Sequence, residues 1–167
     1  MSWIIAMAWL ALLGPASGQR LAVLDLRDEA GLGERATTFL TDNVRGHATD
    51  AVGKRLLVLS RENLQALLPP GKDLSECDGD CEVELARNIG ADFVVSGGAV
   101  TIAGALRLSL QLHDTRSGQL MGRRTASARD LVGLERALPG TVSQLLQALA
   151  PSKAWLDIQG APGLVVY

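Results

Sequence analysis

Cys77 and Cys81 stand four apart in Glu76-Cys-Asp-Gly-Asp-Cys-Glu82. In an oxidising compartment a close, even pair is a disulfide by default. The loop it closes is very small, so its entropic stabilisation is modest and its role is local, fixing the loop that enters the next helix. A redox-active pair normally has two residues between its cysteines, not three. Zinc would need a second cysteine pair or a nearby histidine to complete four ligands. Around the cysteines, Asp73, Glu76, Asp78, Asp80, Glu82 and Glu84 lie together with no basic residue between them. Hard oxygens on a loop suit Ca²⁺, and Asp78, Asp80 and Glu82 are the candidates, but the glycine and the terminal glutamate are out of place for an EF-hand. The plainer reading is a solvated loop whose acids favour the positive end of the following helix.

A second group is Gly31-Leu-Gly-Glu-Arg-Ala36, which follows a strand and opens a helix and so matches G-x-G-x-x-A. Such a loop can cradle a pyrophosphate. Here Asp28 and Glu29 precede the glycines and would repel phosphate, and no acid ends the second strand at Ser60. A flexible strand-to-helix turn accounts for the glycines. Catalytic material is thin. His47 and His113 are the two histidines, and no serine sits in a G-x-S-x-G elbow. Asp25 and Ser60 lie near the carboxyl ends of the first two strands, where α/β ligand sites form, but with no neighbouring base they read as caps and turn residues. No catalytic or cofactor-binding residue and no cofactor is assigned. The best partner surface is the polar strip Arg107, Ser109, Gln111 and His113, which alternates with leucines; plain solvation is the competing reading.

These groups need elements to hold them. Of 167 residues, 47% are hydrophobic and 20% charged, which excludes a disordered chain. Aromatics are only 4%, so the core is aliphatic. The net charge of -2 argues against a nucleic-acid binder. Arg20 to Arg27 and Arg55 to Leu59 read as buried strands. Between them, Leu32 to Ala51 has helical spacing, with Leu32, Ala36, Phe39, Leu40, Val44, Ala48 and Ala51 on one side. Ser60 caps a short helix that Pro69-Pro70 stops. Asp80 caps a helix from about Cys81 to Ile89, and Gly90 ends it. Phe93 to Ile102, Leu106 to Asp114 and Gln119 to Ala128 read as strands joined by hairpin turns. In the middle strand Leu106, Leu108, Leu110 and Leu112 alternate with the polar strip, so one face is buried. Asp130 caps a last helix, which Pro139-Gly140 should kink or divide. The order β-α-β-α-α-β-β-β-α predicts an α/β domain: a mixed sheet with helices packed on it.

The two ends read differently. Ile4 to Leu13 is an unbroken apolar run that breaks at Gly14-Pro15, with small residues at Ala16 and Gly18. It is short of the roughly 20 residues a spanning helix needs. Residues 1–18 therefore read as a cleaved secretory signal, although the segment ahead of the run holds no Lys or Arg. No cysteine lies near the cleavage point, so a lipid-anchored product is not expected. After the domain at 19–150, Trp155 to Ile158 and Leu164 to Tyr167 read as two short strands, a β tail at 151–167.

Several stretches together resemble a known family. Ala22-Val-Leu-Asp-Leu26 resembles the opening strand of the CsgG / FlgO / TolB-amino-terminal family of bacterial envelope proteins. Leu57-Val-Leu-Ser-Arg-Glu-Asn-Leu-Gln-Ala-Leu67 is similar to its next strand and helix. Glu84-Leu-Ala-Arg-Asn-Ile-Gly-Ala-Asp-Phe-Val-Val-Ser-Gly97 resembles its helix ending in Gly-Ala-Asp before an apolar strand. Leu108-Ser-Leu-Gln-Leu-His-Asp-Thr-Arg-Ser-Gly118 resembles its aspartate-x-x-x-glycine hairpin. The resemblance spans about residues 20–150. It implies an anticodon-binding-domain-like fold, an envelope location and no catalysis. CsgG-type pores carry a lipid-anchoring cysteine and membrane-spanning hairpins, and TolB carries a propeller; neither feature is seen here, so pore formation and propeller-mediated binding do not carry over. The tail resembles the start of a PEGA-type β domain. The expectation is a non-enzymatic periplasmic adaptor that works through envelope protein partners, with room for peripheral outer-membrane association and homo-oligomers, and no nucleic acid. The alternative is a periplasmic small-ligand or calcium-binding sensor.

Overall fold

The computed structural model describes residues 18–67 and 80–150. The expected signal segment, most of the acidic loop including Cys77 and Asp78, the Asp80 side chain and the β tail lie outside the described residues.

A six-stranded mixed sheet organises the chain, with helices packed on it. Strand β1 (Arg20–Val23) lies between β3 (Leu57–Val58) and β4 (Phe93–Ile102), parallel to both. Strands β5 (Ala105–Asp114) and β6 (Leu120–Ala128) extend the sheet antiparallel, giving the order β3-β1-β4-β5-β6. The expected run Arg20 to Arg27 is not one strand. After β1 the chain jogs, then β2 (Arg27–Glu29) pairs with β4 at Gly98 to Val100. The jog is held from two sides: the Leu24 amide donates to the Val95 carbonyl, and the Leu26 amide donates to the Thr41 hydroxyl.

Helix α1 (Glu34–Val52) and helix α4 (Leu131–Leu146) cover one face. Leu40, Val44, Ala48 and Val52 of α1, and Leu134, Leu138, Val142 and Leu145 of α4, meet Leu106, Leu108, Leu110 and Leu112 of β5 in one core. Each leucine buried there contributes about 2 kcal/mol by removing apolar surface from water. Helices α2 (Arg61–Leu67) and α3 (Asp80–Asn88) cover the other face, where a second, smaller core joins Leu64, Val83, Leu85, Ala86 and Ile89 to Ala22, Leu24, Leu59 and Val94. That core includes no residue of β5 or β6.

Two helix expectations change. Phe39 is 44% exposed, while Thr37, Thr41 and Arg45 are buried on α1. Their polar atoms serve the chain around them: the Thr37 and Thr41 hydroxyls donate to the Gly33 and Thr37 carbonyls, and Arg45 donates to the Val23 carbonyl. Helix α4 is not divided at Pro139 but runs through it. Pro139 is exposed while Leu138 and Val142 on either side are buried, so packing holds the helix through it.

Several caps fall where the residues place them. The Asp130 carboxylate accepts from the Gly133 amide at 2.7 Å. At the end of α3, Gly90 has φ 77°; its amide donates to Arg87 and the Ala91 amide to Ala86, which closes a Schellman motif.

Candidate functional site

In open α/β sheets ligands settle beyond the carboxyl ends of the parallel strands, where the chain reverses its direction of crossover. In this chain the jog and β2 line that place, beside a groove of about 510 Å³. The jog and β2 lie along β4, and the Arg27 guanidinium donates to the buried Glu82 carboxylate at 2.7 Å. Glu82, a calcium candidate by sequence, is therefore engaged by an arginine. The glycine loop at 31–33 is likewise occupied. The Asp28 carboxylate accepts from the amides of Leu32 at 2.9 Å, Gly33 at 2.7 Å and Ala30 at 3.2 Å. These bonds, Leu32 foremost, hold the Asp28 carboxyl below its usual range against a smaller desolvation cost. The amides that would cradle a phosphate thus already hold a carboxylate.

Beside the jog is a charge cluster that sequence reasoning missed, apart from Asp25. Arg61 donates to Asp25 at 2.9 Å, and Arg45 donates to Asp42 at 2.7 Å. Arg45 also lies 3.7 Å from Asp25, and Arg61 lies 3.7 Å from Asp42. Two shallow grooves flank it, of about 380 and 510 Å³. Two cations and two anions neutralise one another, so the cluster ties α1 and α2 to the end of β1. Ser60 caps α2: its hydroxyl accepts from the Asn63 amide at 3.3 Å. The same hydroxyl, after the backbone amide of Glu62, keeps the Glu62 carboxyl below its usual range. His47 lies half-buried on α1.

At the opposite end of the sheet, two stretches singled out separately in the sequence meet. The Thr115 hydroxyl is buried and donates to the carbonyls of Ala91 at 2.6 Å and Asp92 at 3.0 Å. Arg87 donates to the Thr115 carbonyl at 2.6 Å, and Arg116 donates to the Asp92 carboxylate at 2.9 Å. Asp92 also accepts from the Arg20 amide at 2.9 Å. Within the hairpin, Asp114 accepts from the amides of Arg116 and Ser117 and from the Ser117 hydroxyl. The Ser117 amide is the main reason its carboxyl sits below the usual range. The Gly-Ala-Asp turn and the Asp-x-x-x-Gly hairpin are therefore one brace, with a structural role.

What remains is the uncovered face of β5 and β6. Cross-strand pairs place Arg107 opposite Ser127, Ser109 opposite Thr125 and Gln111 opposite Arg123. All of these lie on the face away from the leucines. The Ser109 and Thr125 hydroxyls are 3.2 Å apart and bond to each other. Arg107, Arg123, Thr125 and Ser127 are exposed. Towards α3 the strip becomes sheltered: His113 is half-buried with Nδ1 enclosed, and Ser96 on β4 is buried. Arg123, Thr125 and Ser127 were missed as part of this face. Only the pairing of β6 with β5 reveals them, because β6 carries no clean alternation of its own. Cys81 sits half-buried against the smaller core, while Cys77 lies outside the described residues. Among the described residues no group of three acidic, histidine or cysteine side chains converges as a metal site, and no helix is long and apolar enough to cross a membrane.

No protein-family model matches the chain. No curated protein matches it by sequence. Solved structures do resemble it. The LpoB C-terminal domain from Escherichia coli aligns with a TM-score of 0.52 at 21% identity, over 68% of this chain and 84% of that one. TolB from Acinetobacter baumannii aligns with a TM-score of 0.53 at 16% identity, over 81% of this chain but only 29% of TolB. Lipoprotein GNA1162 from Neisseria meningitidis aligns with a TM-score of 0.52 at 16% identity, over 80% of this chain and 98% of that one. At these identities the likeness establishes a shared fold. The mixed α/β sheet expected from the sequence is the fold of LpoB, of part of TolB and of this lipoprotein.

Proposed function

We propose that the chain is an exported, non-enzymatic protein of the bacterial envelope that acts as a structural or assembly adaptor through protein–protein contacts. Residues 1–18 direct export, the mature protein works in the periplasm, and Cys77 and Cys81 form a disulfide there. The observation that carries this reading is the contrast between two surfaces. In the crevice where α/β domains bind small ligands, Arg27 is engaged by Glu82 and Arg61 by Asp25, and the phosphate loop is held by Asp28. The face of β5 and β6 is an ordered polar surface with no helix on it among the described residues. Arg107, Ser109, Gln111 and His113, with Arg123 and Thr125, form the contact surface for an envelope partner. The fold shared with LpoB, TolB and lipoprotein GNA1162 supports the same reading.

A photo-reactive side chain at Gln111, introduced in the producing cells, tests it. The expected result is a discrete adduct in the envelope fraction that is lost when Arg107→Glu is added. The exposed Asp50 on α1 serves as the control position and should give no adduct. Absence of any adduct at positions 107, 109 and 111 overturns the reading.

A further inference from the structure

The outer edge of β6 narrows the chemistry of the partner. This strand is nine residues long and ends the sheet, and among the described residues no strand pairs with its outer side. Monomeric proteins usually blunt such an edge with proline, short length, bulges or charges. Here β6 contains no proline, and its one irregularity lies near its start, between Leu112 and His113 of the partner strand. From Gly122 to Ala128 the register is regular. The edge is marked only by Arg123 and Arg124. Arg123 stands on the open face, opposite Gln111, and Arg124 on the helix face, opposite Leu110. The Arg124 guanidinium donates to the Arg123 carbonyl at 2.7 Å, so it folds over the edge itself.

The charge around this edge is one-sided. Residues 105–129 contain five arginines and one aspartate. That aspartate, Asp114, is held by the hairpin amides. Arg107, Arg123 and Arg129 make no ion pair among the described residues. A second copy pairing through β6 would bring like charges together across the new ladder, which is destabilising. An acidic strand has the complementary charge.

We infer that the β6 edge takes an extended acidic segment of a partner protein by strand addition. Backbone hydrogen bonds supply the pairing. Two consecutive acids, one on each face of the added strand, meet Arg123 and Arg124. Arg107 lies four residues along the sheet from the level of Arg123, about 13 Å away, and takes a further acid on the open face. This rests on the adaptor reading and names its partner chemistry.

The test uses the mature full-length protein and a labelled nine-residue peptide of alternating threonine and valine with a central glutamate pair. Binding is expected to be about tenfold tighter than for the same peptide with a central glutamine pair. Methylating alternate backbone nitrogens of the peptide should abolish binding, and the bound peptide should slow hydrogen exchange in β6. The double variant Arg123→Glu, Arg124→Glu should lose the acidic peptide and gain one with a central lysine pair, which shows that the variant is folded. Equal binding of the methylated acidic peptide overturns strand addition, as does binding to phosphatidylglycerol vesicles without peptide binding. Dimerisation through β6 or no binding at all also overturns it. If the peptide fails while the Gln111 adduct persists in cells, the inference falls and the adaptor reading stands. If the adduct is missing, the adaptor reading falls by itself.

Discussion

The half of the sheet centred on β1 and the first part of β4 is covered on both faces, by α1 on one and by α2 and α3 on the other. The half built from β5 and β6 is covered by α4 on one face only. The two halves share a continuous hydrogen-bonded ladder, yet their sequences obey different rules. Phe93 to Ala99 of β4 is buried throughout, so both sides of that strand must be apolar or small. In β5 only the leucines are fully buried, and Arg107 between them is exposed. Covering a face removes its capacity to meet a partner. The polar groups left in the first half are spent on internal ties: Arg27 with Glu82, and Arg61 with Asp25. In the second half Arg107 and Arg123 remain unpaired among the described residues. Recognition therefore belongs where the cover stops.

Substitutions should separate the halves by size of effect. The largest belongs to Gly97, at the seam between them. A Cβ there would collide with the Ser109 carbonyl oxygen and press on a Leu110 methyl. Gly97→Ala should cost about 3 kcal/mol in denaturant unfolding, the upper range for overpacking. A cost below about 0.5 kcal/mol would show that the β4–β5 seam is looser than the buried half. Next comes Thr115→Val, which keeps the volume but removes the hydroxyl donor of the Ala91 carbonyl, while the Asp92 carbonyl keeps the Thr115 amide. It should cost about 2 kcal/mol, because the β5–β6 hairpin relies on this brace to reach the covered half.

The β4–β5 turn should respond in the opposite direction. Ala103 has φ 52° and Gly104 has φ 74°, a two-residue turn of the I′ kind. A left-handed alanine is strained, so Ala103→Gly should raise stability by about 0.5 kcal/mol. Acid gives a further comparison. Asp28 and Asp114 have carboxyl groups held below their usual value of 3.8 in the folded state. Their contribution is present above that value and is lost as the pH falls through the lower folded value. Unfolding followed from pH 5 to 2 should show a decline that Asp28→Asn and Asp114→Asn each flatten. The smallest effect belongs to the open face: Arg107→Ser should change stability by less than about 0.5 kcal/mol while weakening partner capture. A large loss of stability there would mean that the face is packed, and the contrast between the halves would fail.

Much of this architecture can be read along the chain. The leucine alternation of β5, the Asp130 cap and the Gly90 stop depend on residues within a few positions of one another, and each appears where expected. The jog after β1 was not legible, because Leu24 and Leu26 look like any other strand residues until Val95 and Thr41 supply their partners. Phe39 misled for the related reason that a large apolar residue is expected inside, whereas Thr37 and Thr41 have bonding roles that bury them. Half of the candidate surface was visible, as the strip on β5. The other half, on β6, required knowing which strand lies beside it.

The order of the helices and of every strand but β2, the aliphatic core and the one-sided character of β5 can all be read from the residues alone. Those follow from periodicity, capping and turn chemistry, which act over a few residues. Which charges are consumed and which are offered is set by packing. Arg27 finds Glu82 across 55 positions of sequence and Arg61 finds Asp25 across 36, while Arg107 and Arg123 share an open face through strand pairing. An ion pair or a shared surface is a relation between distant segments, set by how the helices cover the sheet. Local sequence carries no record of it until the chain has packed.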